Sequence, residues 1–319
     1  MQILNNPNFD FVRWRWHALA LSTLVVLAGL FIVTTRGFQK GVDFEGGTIV
    51  ILKFNEAPDL NRITTALGGD AVVQQYGDTE NRDVMIRVKR AGAESGADLS
   101  SEVDRIIQTL KAANVGAFNE TPVGTEIVGP VVGEQLRRQG IWATVFALAG
   151  ILGYIALRFQ FSFAVGAVVA TLHDLLVCLA FLAFFRYDLT LNVVAGLLTI
   201  TGYSVNDTIV IFDRVRENMR TMRRDHLATI VNTAVNQTLS RTIITAGTTL
   251  LSVIALYLFG GEVLEGFAFT MLVGIVSGTY STVFIASSIA ILLQKGKPTK
   301  GQPAAAASAT PRPSKRRAS

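Results

Sequence analysis

Residues 191–212 read LNVVAGLLTITGYSVNDTIVIF, and one charge, Asp207, interrupts an otherwise apolar and hydroxyl-bearing run. That length suits a membrane crossing, which takes about 20 mostly apolar residues. Helical spacing places Gly196, Thr199, Tyr203, Ser204 and Asp207 on one face, small and polar, that is expected to point into a bundle. Five further runs of similar character are Ala18–Thr34, Ile141–Leu157, Phe161–Phe185, Thr242–Phe259 and Phe267–Leu293. Six spans are therefore expected. The first follows the basic and aromatic anchor Arg13, Trp14, Arg15 and Trp16. It ends in Val33-Thr34-Thr35-Arg36 with no small-x-small cleavage site, so a retained helix is expected rather than a cleaved signal peptide.

The connecting segments set the orientation. Arg13 and Arg15, Arg158, the cluster Arg214, Arg216, Arg220, Arg223 and Arg224, and the basic tail from Lys295 to Arg317 all fall on one side of a six-span chain. That side is expected to be the cytoplasm, with both termini on it. The other side receives Arg186-Tyr187-Asp188, the acidic turn from Gly260 to Glu265, and a large loop. Composition agrees: 50% of the residues are hydrophobic and 17% charged. The net charge of +5 flanks apolar runs and reads as topology, not as nucleic-acid binding. A single cysteine, Cys178, excludes an internal disulfide and a Cys-cluster metal site. The histidines, His17, His173 and His226, have no ligand-like spacing, and no phosphate-binding loop occurs. No enzymatic activity, metal or cofactor is expected.

Four regions follow: residues 1–35 with the first span, a soluble domain over 36–140, five spans over 141–293 with a charged link at about 213–240, and a basic disordered tail over 294–319. Within the loop, Thr48–Phe54 is β-branched, and Val84, Ile86 and Val88 alternate with polar residues. Helix-like stretches Asp59–Leu67 and Asp98–Ala113 intervene, the second with Val103, Ile106, Ile107 and Leu110 on one face. With short strands near Ala71–Tyr76 and Pro122–Ile127, the order β-α-β-β-α-β predicts a ferredoxin-like α+β domain. In the charged link, Leu227, Ile230, Val231, Ala234 and Val235 are spaced helically, which suits a helix along the membrane interface.

An ionisable residue inside a span costs roughly 2.5–3.5 kcal/mol on insertion scales and calls for an explanation. Asp207 is the clearest case, against the plainer reading of an acid reaching the interface. Arg241 opens the fifth span and leads a stripe of Thr245, Thr248, Thr249 and Ser252. It reads either as a positive-inside anchor or as a partner for Asp207 at similar depth. Asp174, preceded by His173, fits a buried hydrogen bond and a proton site equally well. Gly274, Gly278 and Thr282 form a small-residue stripe expected to pack helices closely. An acid in a polar seam beside an arginine meets the requirements of a proton pathway.

Four stretches resemble the SecF family of bacterial protein-export membrane proteins: Gly41-Val42-Asp43-Phe44-Glu45-Gly46-Gly47-Thr48, Leu172-His173-Asp174-Leu175, Gly202 to Val210 continuing to Asn218, and Asn236 to Thr242. The resemblance implies half of an RND-type transporter in the bacterial cytoplasmic (inner) membrane, completed by SecD. It implies action beside the SecYEG channel, with SecA in the same pathway, drawing preproteins outward by the proton-motive force. By position, Asp207 and Arg241 match the proton relay, with Asp174 a further candidate. Thr199, Tyr203, Ser204, Asn206 and Thr245 then support the seam. Asp43, Gly46, Gly47 and Thr48 form a structural element at the base of the periplasmic domain. Membrane lipids surround the bundle. The alternatives are an RND-type small-molecule exporter and a scaffold that transports nothing.

Overall fold

The structure, a computed structural model, describes residues 7–68, 71–77, 80–88 and 96–294. Six helical segments are long and apolar enough to cross a membrane. They are α1 (Arg15–Arg36), α5 (Pro130–Arg158), α6 (Phe161–Phe185), α7 (Leu191–Thr221), α8 (Leu227–Phe259) and the pair α9 (Glu262–Ser281) and α10 (Ser287–Gln294). A π-helical turn, Thr282–Ala286, joins the last two. Beyond Gln294 the expected tail lies outside the described residues.

Between α1 and α5 stand a short helix α2 (Val42–Glu45), strands β1 (Gly47–Lys53), β2 (Ala71–Tyr76), β3 (Asp83–Val88) and β4 (Gly124–Val128), and helices α3 (Leu60–Ala66) and α4 (Gly96–Ala112). The sheet is antiparallel with order β2-β3-β1-β4, the ferredoxin-like arrangement expected from the element order. Alternation drives it. Val50 and Leu52 lie opposite Ile86 and Val84, and all four are buried with Ile63, Ile106 and Leu110 from the helices. Asp59 starts α3 by accepting from the Asn61 and Arg62 amides at 3.1 and 3.2 Å. Across the opposite sheet face, Arg87, Ile49 and Glu126 form one row.

Gly46 and Gly47, with φ of +73° and +143°, turn the chain from α2 into β1. A Cβ on Gly47 would stand 2.7 Å from the Val88 carbonyl oxygen, so backbone conformation and space both demand glycine. Gly47→Ala is expected to cost about 1–3 kcal/mol and to lower the thermal transition of the purified chain. An unchanged transition would mean that the turn relaxes freely.

In the bundle α9 packs on α6, α7 and α8. Its small-residue stripe meets α7 position by position. A Cβ on Gly274 would lie 2.4 Å from Ile200, one on Gly278 would lie 3.2 Å from Ser204 Cβ, and Thr282 Oγ1 is 3.0 Å from Thr208 Oγ1. The absence of side chains at these glycines lets the two backbones approach.

Three expectations change. The second span's helix reaches back to Pro130, since the proline suits the first helical position and the polar turn holding Glu134 and Arg137 stays helical beyond the apolar run. The sixth begins at Glu262, so most of the expected acidic turn is helix. Residues 213–240 supply no separate interfacial helix. They extend α7 and α8 past the apolar runs, and Ile230, Val231, Ala234 and Val235 are buried against Phe212 and Val215. The amphipathic face found helix partners rather than lipid.

Candidate functional site

Asp207 lies where α7 and α8 pass each other. Its Oδ1 accepts a hydrogen bond from Thr242 Oγ1 at 2.9 Å, while Oδ2 is buried and meets no donor among the described residues. Arg241 precedes Thr242 and so stands at similar depth, but it is exposed, and no ion pair joins it to Asp207. Thr199, Asn206 and Thr245 are exposed too, and Tyr203 is half-buried. The polar seam therefore lies on the outside of the six-helix bundle, not inside it as its spacing suggested. The hydroxyls of Thr245, Thr248, Thr249 and Ser252 return to carbonyls one turn back, which makes the stripe tolerable in an apolar medium. Toward the loop after α7, Gln237 Oε1 accepts from Arg214 Nε at 2.7 Å and from Asn218 Nδ2 at 2.9 Å, tying the two helices together.

Ser204 leaves the seam. It is buried and donates to Asp174 Oδ2 at 2.6 Å, joined by Ser281 to the same oxygen at 2.6 Å and Ser277 to Oδ1 at 2.7 Å. His173 Nδ1 lies 3.1 Å from Oδ1. Four polar groups thus converge on two oxygens and join α6, α7 and α9. The two intramembrane acids differ in kind: Asp174 is saturated, whereas Asp207 keeps one oxygen open. Thr242, Ser277 and Ser281 were not singled out from sequence. Thr242 ends a quoted stretch, and Ser277 and Ser281 recur at helical spacing, so the signal was present but had no partner to orient it.

At its other end α7 is fastened to the soluble domain. Asp43 Oδ2 accepts the Leu191 amide at 2.8 Å, at the first turn of the helix, where a carboxylate is favoured. Gly41 N–H donates to the Leu189 carbonyl and Leu189 N–H to the Gln39 carbonyl, each at 2.8 Å. Arg87 of β3, buried, pairs with Asp188 of the α6–α7 loop. That pair was not foreseen, because a lone arginine on the polar side of a strand carries no periodic signal. Burial, and then the Asp43 carboxylate, push the Glu126 carboxyl above its usual range, with Arg87 pulling the other way. Nearby, Tyr187 donates to Glu265 Oε1 at 2.6 Å and meets the Tyr257 hydroxyl at 3.1 Å. Burial and the Glu265 bond raise the Tyr187 phenol well above its ordinary value.

Breaking Arg87–Asp188 tests this fastening. Arg87→Met leaves a half-buried carboxylate without its cation, an effect of about 1–3 kcal/mol. Amide exchange is expected to rise both in β3 and around residues 189–193. A rise confined to the sheet would show that the pair does not hold the domain to α7.

The sequence matches two family models, the SecD/SecF protein-export membrane protein C-terminal region over residues 108–296 and the SecD/SecF GG motif over residues 31–58. It is 41% identical over 288 residues to the protein translocase subunit SecF of Desulfurispirillum indicum, covering 88% of this chain and 90% of the relative. To that of Escherichia coli O157:H7 it is 39% identical over 290 residues, covering 89% and 88%. Its fold is similar to the crystal structure of SecDF, a translocon-associated membrane protein from Thermus thermophilus, with a TM-score of 0.79 and 32% identity. The alignment takes in 91% of this chain but only 39% of that one, so this chain spans about two-fifths of the SecDF length.

Proposed function

The chain belongs to the SecD/SecF family of protein-export membrane proteins, and from that premise we propose that it is the SecF-type accessory subunit of a Sec preprotein translocase, driven by the proton-motive force. One observation carries the proton reading: Asp207 has a buried carboxylate oxygen that meets no donor among the described residues, set in a polar face that the described residues leave uncovered. Such a face is costly against lipid, so it calls for a second set of helices, and SecD is the partner proposed to supply them. Asp207 takes and releases the proton, Arg241 tunes its charge, and Thr242 holds its orientation. Thr199, Tyr203, Asn206 and Thr245 line the joint. Asp174 and Ser204 brace the helices beside it and exchange no proton.

The same helix transmits the change. From Asp207 to the Asp43-capped first turn of α7 is about 24 Å along the axis at roughly 1.5 Å per residue. A proton crossing the membrane yields about 2.3 kcal/mol per 100 mV, enough to bias a two-state tilt of α7 and with it the attached domain. In this reading both termini are cytoplasmic, the membrane is the bacterial inner membrane, and the domain is periplasmic. There it handles a preprotein that SecA has started through SecYEG. Asp43, Gly46, Gly47 and Thr48 anchor the domain.

The test is preprotein export in vesicles carrying the chain with its SecD-type partner under a controlled proton gradient. Export is expected to be stimulated, and an ionophore that collapses the gradient is expected to remove the stimulation. Indifference to the ionophore would favour the scaffold reading. Isolation of the chain as a homotrimer with drug or lipid efflux would favour an RND-type exporter.

A further inference from the structure

A cavity of about 170 Å³ opens between the ends of α1 and α6, lined by Arg36, Gly37, Gln39, Ala183, Arg186 and Tyr187. The two helices run so close that a Cβ on Gly29 would fall 2.2 Å from Ala180 Cβ. Their C-termini therefore finish together, at the membrane face that carries the soluble domain. Arg36 and Arg186 are both exposed, and among the described residues neither enters an ion pair. Of the nearby carboxylates, Asp188 pairs with Arg87, while Glu265 accepts from the neutral Tyr187 hydroxyl.

The charge count is uneven. Each helix C-terminus presents about half a negative charge, so against the helix ends alone the two guanidinium groups leave roughly one positive charge. Below the arginines the surface turns apolar, with Phe31, Phe184 and Phe185 exposed by 69%, 55% and 54%. A cationic fork above an aromatic, lipid-facing wall fits an amphiphile with a singly charged anionic head. Arginine is suited to grip a phosphate with paired N–H donors. We propose that this cavity binds the phosphodiester headgroup of an anionic phospholipid, with Arg36 and Arg186 as the two prongs and the acyl chains lying along Phe31 and Phe184. Gln39, whose carbonyl accepts the Leu189 amide, places the bound headgroup beside the seam that fastens the domain to α7.

Native mass spectrometry of the purified full chain reads the binding. Wild type is expected to retain one phosphatidylglycerol at concentrations where phosphatidylethanolamine is lost. Arg36→Gln with Arg186→Gln is expected to weaken phosphatidylglycerol retention roughly thirtyfold, about fivefold for each basic residue near an anionic surface. Equal retention of the two lipids by wild type, or unchanged retention by the double variant, overturns the proposal. Displacement of the lipid by equimolar inorganic phosphate also overturns it, since the site would then serve the free anion. A photoreactive phosphatidylglycerol applied to wild type needs no variant. Labelling within residues 31–39 or 181–187 supports the site, and labelling only elsewhere refutes it.

Discussion

Asp207→Asn is expected to reduce preprotein export in energised vesicles to the level seen with the gradient collapsed, at normal chain abundance and with the partner still bound. Asparagine keeps the shape of the side chain, and its carbonyl oxygen still accepts from Thr242 Oγ1, so the α7–α8 crossing survives. Only titration is lost. The expected effect is the whole of the gradient-dependent component, because an amide carries no proton through the cycle. Asp207→Glu restores a carboxyl on a longer stem and is expected to recover part of the stimulation. Full stimulation in the asparagine variant would remove Asp207 from the relay. Arg241→Gln supplies a second check. Its guanidinium is exposed in the isolated chain and is expected to matter only in the assembled unit, shifting the pH at which stimulation is half-maximal rather than chain stability.

How much of this was legible in the sequence depended on the range of the signal. The apolar runs declared the six crossings, because the bilayer imposes a length that any sequence must show. The sheet was equally open: two-residue alternation in β1 and β3 names the buried face without knowledge of the partner strand. Helix ends were less legible, since beyond the hydrocarbon the chain of α5, α7 and α8 stays helical without apolar pattern.

The candidate site's residues were read from sequence as a single face, and the structure divides that face in two. Ser204 and Asp207 are three positions apart, about 60° around the helix. A boundary falls between them: Ser204 turns to α6 and α9, and Asp207 to α8 and the outside. No property of α7 alone shows where its neighbours stand. The same holds for Asp174, whose two readings were balanced in sequence and which three serines from other helices now surround.

That surrounding yields the second large effect, in stability rather than transport. Asp174→Leu is expected to strand Ser204, Ser277, Ser281 and His173 at once, in a site where Asp174 is 1% exposed. Interhelical hydrogen bonds in membranes average about 0.6 kcal/mol, so the three from Ser204, Ser277 and Ser281 amount to about 2 kcal/mol, and the bulkier branched side chain adds crowding. Ser281 recovers part of this through the Gly278 carbonyl, 3.2 Å away. Asp174→Asn changes far less: its oxygen keeps two of the donors, and its amide donates to serine hydroxyls that rotate to accept. Thermal unfolding in detergent, read beside gradient-driven export, separates the two roles. If Asp174 braces the bundle, export follows stability across the series and the asparagine variant stays active. If Asp174 carries the proton, the asparagine variant is as stable as wild type and loses gradient-driven export. The filled hydrogen-bonding capacity of this carboxylate, against the open oxygen of Asp207, makes bracing the expected result.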